Sequence, residues 1–419
     1  MKRFLYPGMR IKRWLGLLTL GLVLTSAGVA TWFVELERAR PGALGAVDSL
    51  FGPTTARISL LLGLGLLAVL LSAMGVYRSI AEVVEPIQPG RGGFLDLIYQ
   101  ARVRRGGPRV VCVGGGTGMP TVLRALKPHT SNITAVVTVG DDGGSSGRLR
   151  REHGILPPGD FRNNIVALAE VEPLMSRLFQ YRFGPGSSLE GHSFGNLFVL
   201  AMTGVTGNFE QALRETSRVL AVKGSILPST LEDVTIWARF KDGTEVEGES
   251  QVPEVGKPLD RVYLHPEHPS AQPEAVKAIL EADLVVLGPG SLYTSVIPNL
   301  LVEGIAKALE QTEATTVYVC NVAVQPGETD GYSVQDHVAA IARHLPGRKN
   351  PLTYVVINQS AVASSSEGDV AMVCLAPRVE RIDSARVVVA DVVRTDQPLR
   401  HDPEKLGQVL VALAEHRRR

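Results

Sequence analysis

Three times in this chain an apolar, mostly β-branched run stops abruptly at a glycine-rich polar segment. Val110 to Val113 precedes Gly114-Gly115-Gly116-Thr117-Gly118, and Ile133 to Val139 precedes Gly140-Asp141-Asp142-Gly-Gly-Ser145-Ser146-Gly-Arg148. Leu284 to Leu287 precedes Gly288-Pro-Gly290-Ser291 and the polar run to Ser295. Strands that are apolar throughout, rather than alternating, are what a parallel sheet covered on both faces requires. Further candidate strands are Thr315 to Asn321, Leu352 to Asn358 and Arg386 to Asp391. Candidate helices alternate with them at Pro120 to Leu126, Asn163 to Ala169, Pro173 to Tyr181, Phe209 to Ala221, Pro273 to Ala282, Asn299 to Ala308, Ser333 to His344 and Pro403 to Glu415. The alternation predicts an α/β domain over residues 109–419, with a doubly wound and mostly parallel sheet. Asp242-Gly243 between two strand-like runs predicts a small antiparallel β-hairpin insertion over about 232–265.

The amino-terminal part differs in kind. Trp14 to Val34 and Ile58 to Tyr77 are uncharged runs of about 21 and 20 residues. At 1.5 Å rise per residue, either spans a hydrocarbon core of roughly 30 Å. Lys2, Arg3, Arg10, Lys12 and Arg13 precede the first run, and Arg78, Arg91, Arg102, Arg104 and Arg105 follow the second. The positive-inside rule then predicts a two-helix transmembrane hairpin over residues 1–85, in the cell membrane, with both termini and the main domain cytoplasmic. A cleaved signal peptide ending near Ala30 is the rival reading, and it leaves the second run unexplained. Gly16, Gly21, Gly63 and Gly65 are positions where the two helices can approach closely. Residues 86–108 read as a linker rich in proline, glycine and arginine.

The 43 basic and 42 acidic residues nearly cancel, so no overall field favours nucleic acid. Three isolated cysteines in apolar runs argue against a disulfide framework and a zinc cluster.

The chemistry belongs at the loops after the strands, where open parallel sheets bind ligands. Gly114 to Gly118 allows backbone amides to approach a phosphate at a helix N-terminus, and a tight turn alone explains one or two glycines rather than four. The loop matches neither the dinucleotide fingerprint nor a P-loop. Asp141 or Asp142 can accept ribose hydroxyls or help hold a divalent metal, and Gly143 to Gly147 with Arg148 reads as an anion nest. In Leu156-Pro-Pro-Gly-Asp160-Phe-Arg162-Asn163-Asn164, Asp160 serves equally as a helix cap or a ligand contact, while Arg162 and Asn163 have less structural reason to be there. Gly191-His-Ser-Phe-Gly195-Asn196 and the segment Asn321 to Asp330 are two more polar loops. His192, tied to no nucleophile or carboxylate, reads as a hydrogen-bonded structural histidine. No catalytic unit is identifiable.

Together these motifs, over residues 109–416, resemble the YvcK branch of the CofD-like family. The resemblance implies a Rossmann-like fold that binds a uridine diphosphate sugar, chiefly UDP-N-acetylglucosamine. It also implies a regulatory role in gluconeogenic growth, cell shape and cell-wall precursor supply, exercised through a protein partner and with a homo-oligomer among its possible states. On it, Gly116 and Thr117 meet the diphosphate, Asp141 or Asp142 the ribose or a magnesium ion, and Arg148, Arg162 and Arg400 the charge. Arg400-His401-Asp402 resembles the family's Arg-His-Asp segment, and Pro403 stands where some members carry a phosphorylatable threonine. No cofactor is required by this reading. The related CofD branch implies an alternative, a metal-dependent transfer of a phospholactyl group to a deazaflavin. A membrane scaffold with a vestigial ligand site is the third reading.

Overall fold

The computed structural model describes residues 11–38, 53–84, 104–170, 173–345, 350–359, 372–375 and 379–418. Two compact units divide the chain, Met1–Arg102 and Val103–Arg419. The linker at 86–103 and the charged flanks at 1–10 and 39–52 lie outside the described residues.

The first unit contains two long helices, α1 (Ile11–Arg38) and α2 (Pro53–Val84). Their apolar stretches Trp14–Trp32 and Leu61–Arg78 are long and apolar enough to cross a membrane. Glycine sets their contact: a Cβ built on Gly65 would lie 2.7 Å from the Thr25 amide nitrogen and 2.9 Å from the Gly21 carbonyl oxygen. Ser72 Oγ donates to the Trp14 carbonyl at 2.6 Å. Gly28 and Gly75 also face the neighbouring helix, against Leu62 and Trp14, whereas Gly16 and Gly63 face open space. Two of the four expected glycines therefore serve close approach.

The second unit begins with β1 (Val110–Gly114), α3 (Met119–Leu126), β2 (Ile133–Val137), α4 (Gly144–His153), α5 (Pro158–Leu168), α6 (Pro173–Gln180), α7 (Phe194–Thr206), α8 (Phe209–Val219) and β3 (Ser225–Pro228). The insertion follows, with β4 (Thr235–Phe240), β5 (Glu245–Glu247) and β6 (Leu259–His265). After it come α9 (Pro273–Leu280), β7 (Leu284–Leu287), α10 (Ile297–Leu300), α11 (Glu303–Gln311), β8 (Thr315–Val319), α12 (Val334–Arg343), β9 (Tyr354–Asn358), β10 (Arg381–Ile382), β11 (Ala385–Ala390) and α13 (Pro403–Arg418).

The large sheet runs β10-β11-β9-β8-β7-β1-β2-β3 and is parallel except for the β10–β11 pair. Every residue of β1, β7 and β8 is buried, as their largely apolar sequences suit, with Thr315 and Thr316 opening β8. The chain builds outward from β1 through β2 to β3, then restarts on the other flank of β1 with β7, β8 and β9. The β1 and β7 carboxyl ends therefore flank the crevice where the direction of winding reverses, the place where such sheets bind ligands. In the insertion, Gly243 takes φ +86° in the expected Asp-Gly turn. A third strand, β6, pairs with β4 to complete an antiparallel sheet.

Several elements differ from the sequence reading. The single helix expected over Asn299 to Ala308 is two, α10 and α11, separated at Leu301 and Val302, and strand β10 was not expected. The Gly143–Gly147 segment is not a loop or nest: α4 starts at Gly144. Glycine and serine are poor helix formers, and tertiary contact overrides that propensity, since Gly147 packs directly beneath the Asp142 carbonyl. The fifth helix begins at Pro158, not Asn163, and Asp160 makes no capping bond there. Helix α7 was not expected because a run that is apolar all round shows no 3.6-residue period. Strand β3 is a four-residue edge strand, too short to register.

Candidate functional site

The loop after β1 and the loop after β7 are packed onto one another, and glycine is what permits it. Gly116 and Gly288 adopt φ +63° and +68°, which disfavour any side chain. A Cβ on Gly115 would lie 2.7 Å from Asp160 Oδ2, and one on Gly118 would collide with the Pro289 carbonyl. Each of these glycines thus has a packing reason independent of any phosphate. The Asn321 side chain, at the end of β8, clamps the second loop: its Oδ1 accepts from Gly290 N–H at 3.1 Å and its Nδ2 donates to the Gly290 carbonyl at 2.8 Å. Asn299 Nδ2 donates to the Gly114 carbonyl at 3.1 Å. Ser291 caps a fully buried π turn, Leu292–Val296.

Between these loops opens a cleft of about 660 Å³. Its lining includes Gly116, Thr117 and Gly118 from the first loop, Gly290, Ser291, Thr294 and Ser295 from the second, and Asn321, Gln325 and Glu328 after β8. Glu249 and Ser250 of the insertion and Leu399, Arg400 and His401 ahead of α13 complete it. A volume of this size suits a nucleotide-sized ligand.

Behind the first loop lies a wall of carboxyl groups. Asp160 Oδ2 accepts Gly116 N–H at 2.6 Å, Asp141 Oδ1 accepts Gly143 N–H at 3.0 Å, and Asp142 Oδ1 accepts Ser250 N–H at 2.9 Å. Ser146 Oγ accepts Gly159 N–H at 3.0 Å and so joins α4 to α5. Burial, reinforced by the Asp141 charge, raises Asp160 to about 6. Burial and the neighbouring Asp141, Asp160, Asp142 and Glu328 push Glu249 well above the usual range. Burial raises Asp141 and Glu328 as well, the latter held by Ser291 and Thr294 hydroxyls and by Gln325 Nε2 at 2.9 Å. Among the described residues no group of three or more His, Cys, Asp or Glu is arranged to hold a metal ion.

A third group stands apart from the cleft lining. Ser145 Oγ lies 3.0 Å from His192 Nδ1 and accepts Asn196 Nδ2 at 3.0 Å. Arg162, buried, donates to Ser193 Oγ and to Asn163 Oδ1, and Gly195 leaves room for its stem. Arg148 turns to the Glu190 carbonyl. Of the residues expected at the site, then, Gly116, Thr117, Gly118, Gly290, Ser291 and Arg400 line the cleft. Asp141, Asp142, Ser146, Asp160, Gly114 and Gly115 support it from behind, while Ser145, Arg148, Arg162, Asn163, Gly195 and Asn196 form the polar cluster around α4, α5 and α7. Sequence reasoning missed Glu249 and Ser250, which carry no local signal. It also left out Asn321, Gln325 and Glu328, although the polar segment holding them was legible.

The sequence profile of the family described as "2-phospho-L-lactate transferase CofD" matches residues 110–393. A protein of Nostoc sp. (strain PCC 7120) is 44% identical over 423 residues, 98% of this chain and 91% of its own length. The chain belongs to the CofD family, among its gluconeogenesis factors. The Bacillus subtilis gluconeogenesis factor is 43% identical over 312 residues, which is 98% of that relative but 73% of this chain. A crystal structure of a Bacillus halodurans protein superposes with a TM-score of 0.67 at 42% identity, covering 73% of this chain and 99% of its own. These two proteins are therefore matched almost whole by about three quarters of this chain.

Proposed function

We infer that the protein is a nucleotide-sugar-binding regulatory factor whose ligand, a UDP-sugar such as UDP-N-acetylglucosamine, occupies the cleft between the β1 and β7 loops. One observation carries this reading: two glycine loops at a winding reversal, Gly116 to Gly118 and Gly290 to Ser291, line one cleft of about 660 Å³ together with Arg400. Backbone amides and a guanidinium suit a diphosphate, and the polar lining of Asn321, Gln325 and Ser291 suits base and sugar hydroxyls. Membership among the gluconeogenesis factors supports a role in gluconeogenic growth, and the reading extends it to cell-wall precursor supply, exercised through a protein partner. The hairpin tethers it to the membrane with the main domain cytoplasmic; Leu22, Val23, Leu66, Leu67 and Leu70 on α1 and α2 all point outward, as lipid contact requires.

Isothermal calorimetry on the purified chain tests the reading, with UDP-N-acetylglucosamine against GDP and inorganic phosphate. Expected is micromolar binding of the UDP-sugar with no turnover; absence of heat at millimolar ligand refutes it. Transfer of a phospholactyl group to a deazaflavin would replace it with the transferase activity for which the family is described.

A further inference from the structure

The insertion reaches the cleft from outside the large sheet, and its turn at Gly248 to Ser250 brings Glu249 and Ser250 into the lining. Gly248 N–H donates to the Ile236 carbonyl of β4 at 2.8 Å, so the turn hangs from β4. Strand β4 is paired along its length with β6, Ile236 opposite Leu264 and Ala238 opposite Val262. Where Glu249 stands in the cleft therefore depends on where the β4–β6 pair rests against the remainder of the unit.

At β6 the anchor is a buried histidine. Strand β6 is an edge of the small sheet, and Val262, 2% exposed, turns its N–H away from β4. Water does not reach that donor, and a buried N–H left unmet is costly. His344, which closes α12 and is 6% exposed, supplies the acceptor: its Nε2 accepts Val262 N–H at 3.0 Å. Its Nδ1–H donates to the Ala340 carbonyl at 2.7 Å, which fixes the tautomer that leaves Nε2 bare. Burial lowers the ring to about 4, with the Arg261 and Arg343 charges adding to the effect, so it is uncharged at neutral pH. Arg343 also donates to the Asp260 carbonyl at 3.0 Å, but that bond is exposed to solvent.

The same ring meets the ligand loop. Tyr293, fully buried in the π turn that Ser291 caps, sets its ring at 78° to His344 with centroids 5.8 Å apart. Its hydroxyl lies 2.7 Å from the Tyr332 hydroxyl, and its N–H donates to the Glu328 carboxylate. Thr294 and Ser295, the next two residues of the turn, line the cleft, while His344 does not. One imidazole thus joins the insertion, α12 and the loop after β7.

We infer that His344 is a positioning residue for the cleft: without touching the ligand, it registers the insertion against the loop after β7 and so sets Glu249 and Ser250 opposite Ser291 and Thr294. The inference rests on the cleft being the UDP-sugar site proposed above.

The full chain in detergent micelles is titrated with UDP-N-acetylglucosamine by calorimetry, and hydrogen exchange of peptides spanning 245–255 is followed by mass spectrometry without ligand. His344→Phe keeps a ring against Tyr293 and removes the acceptor. His344→Asn keeps a donor for the Ala340 carbonyl but is too short to reach Val262 N–H. Both are expected to weaken binding about 10-fold, as one unmet buried donor displaces the insertion, and to speed exchange across 245–255. His344→Gln, whose longer amide carries an oxygen to the Nε2 position, is expected to bring both back to within about 3-fold of wild type. Wild-type affinity in the Phe and Asn variants overturns the inference. So does a Gln variant that melts like wild type yet recovers neither property, since the ring then serves packing alone. Should wild type itself give no heat, the UDP-sugar reading fails and exchange decides the positioning role: unchanged rates in the Phe and Asn variants overturn it, and faster rates restored by Gln uphold it.

Discussion

Asp160 couples the candidate site to stability in a way that can be measured. Its carboxyl holds the first glycine loop through Gly116 N–H while facing the Asp141 charge, and burial raises it from 3.8 to about 6. For an acid raised in the folded state, the neutral form is the one the native structure prefers. Stability is therefore fully present below the unfolded value of 3.8 and lost as pH climbs through 6. The shift corresponds to about 3 kcal/mol at 1.36 kcal/mol per unit; because the residue is only half-buried, solvent screening makes this an upper figure. Asparagine mimics the neutral acid: its Oδ1 still accepts Gly116 N–H, and its Nδ2 presents a donor to the other carboxyl groups. Asp160→Asn should stabilise the chain by up to ~3 kcal/mol at pH 8 but only about 1.5 kcal/mol at pH 5. In melting temperature this is roughly 4–5 °C at pH 8 and half that at pH 5 for the unit Val103–Arg419. Thermal unfolding followed by circular dichroism in matched buffers reads both values. A variant destabilised at both pH values, or one whose advantage does not grow with pH, refutes the assignment of a strained buried charge.

Arg400→Ala should weaken UDP-sugar binding about 10- to 100-fold with no change in melting temperature, because Arg400 is an exposed cation at the cleft rim; calorimetry checks it. Gly118→Ala should cost about 1–3 kcal/mol and abolish detectable binding, since its Cβ would collide with the Pro289 carbonyl and force the two loops apart. Denaturant titration and calorimetry together measure that. Glu249 is neutral at low pH and becomes an anion in the cleft as pH rises through its elevated range, so affinity for a diphosphate ligand should fall with pH in the wild type. In Glu249→Gln the pH profile of binding should flatten. Gly65→Leu should separate α1 from α2, lowering cross-linking between cysteines placed at positions 28 and 62.

Much of the sheet was legible because a strand buried on both faces must be apolar at every position, as Val110–Gly114, Leu284–Leu287 and Thr315–Val319 are, glycine and threonine at their ends aside. Each such run is recognisable without knowing its neighbours. The Asp242-Gly243 turn and the two long apolar helices were legible for the same reason, since turn chemistry and span length are local properties. Helix α4 was not, because its Gly-Ser start favours a loop and only packing beneath Asp142 makes it helical.

The sequence alone determined which loops are polar and glycine-rich and which strands precede them. It could not determine which of those loops share a cleft. Strand order decided that by setting β7 beside β1, so that Gly290 and Ser291, some 170 residues downstream, face Gly116. The same ordering set Arg148 and Arg162 in a separate cluster and brought Glu249 in from the insertion. The physical reason is that polarity and backbone freedom are written residue by residue. Proximity across a parallel sheet depends on how every strand pairs with the next, and only the folded chain holds that information.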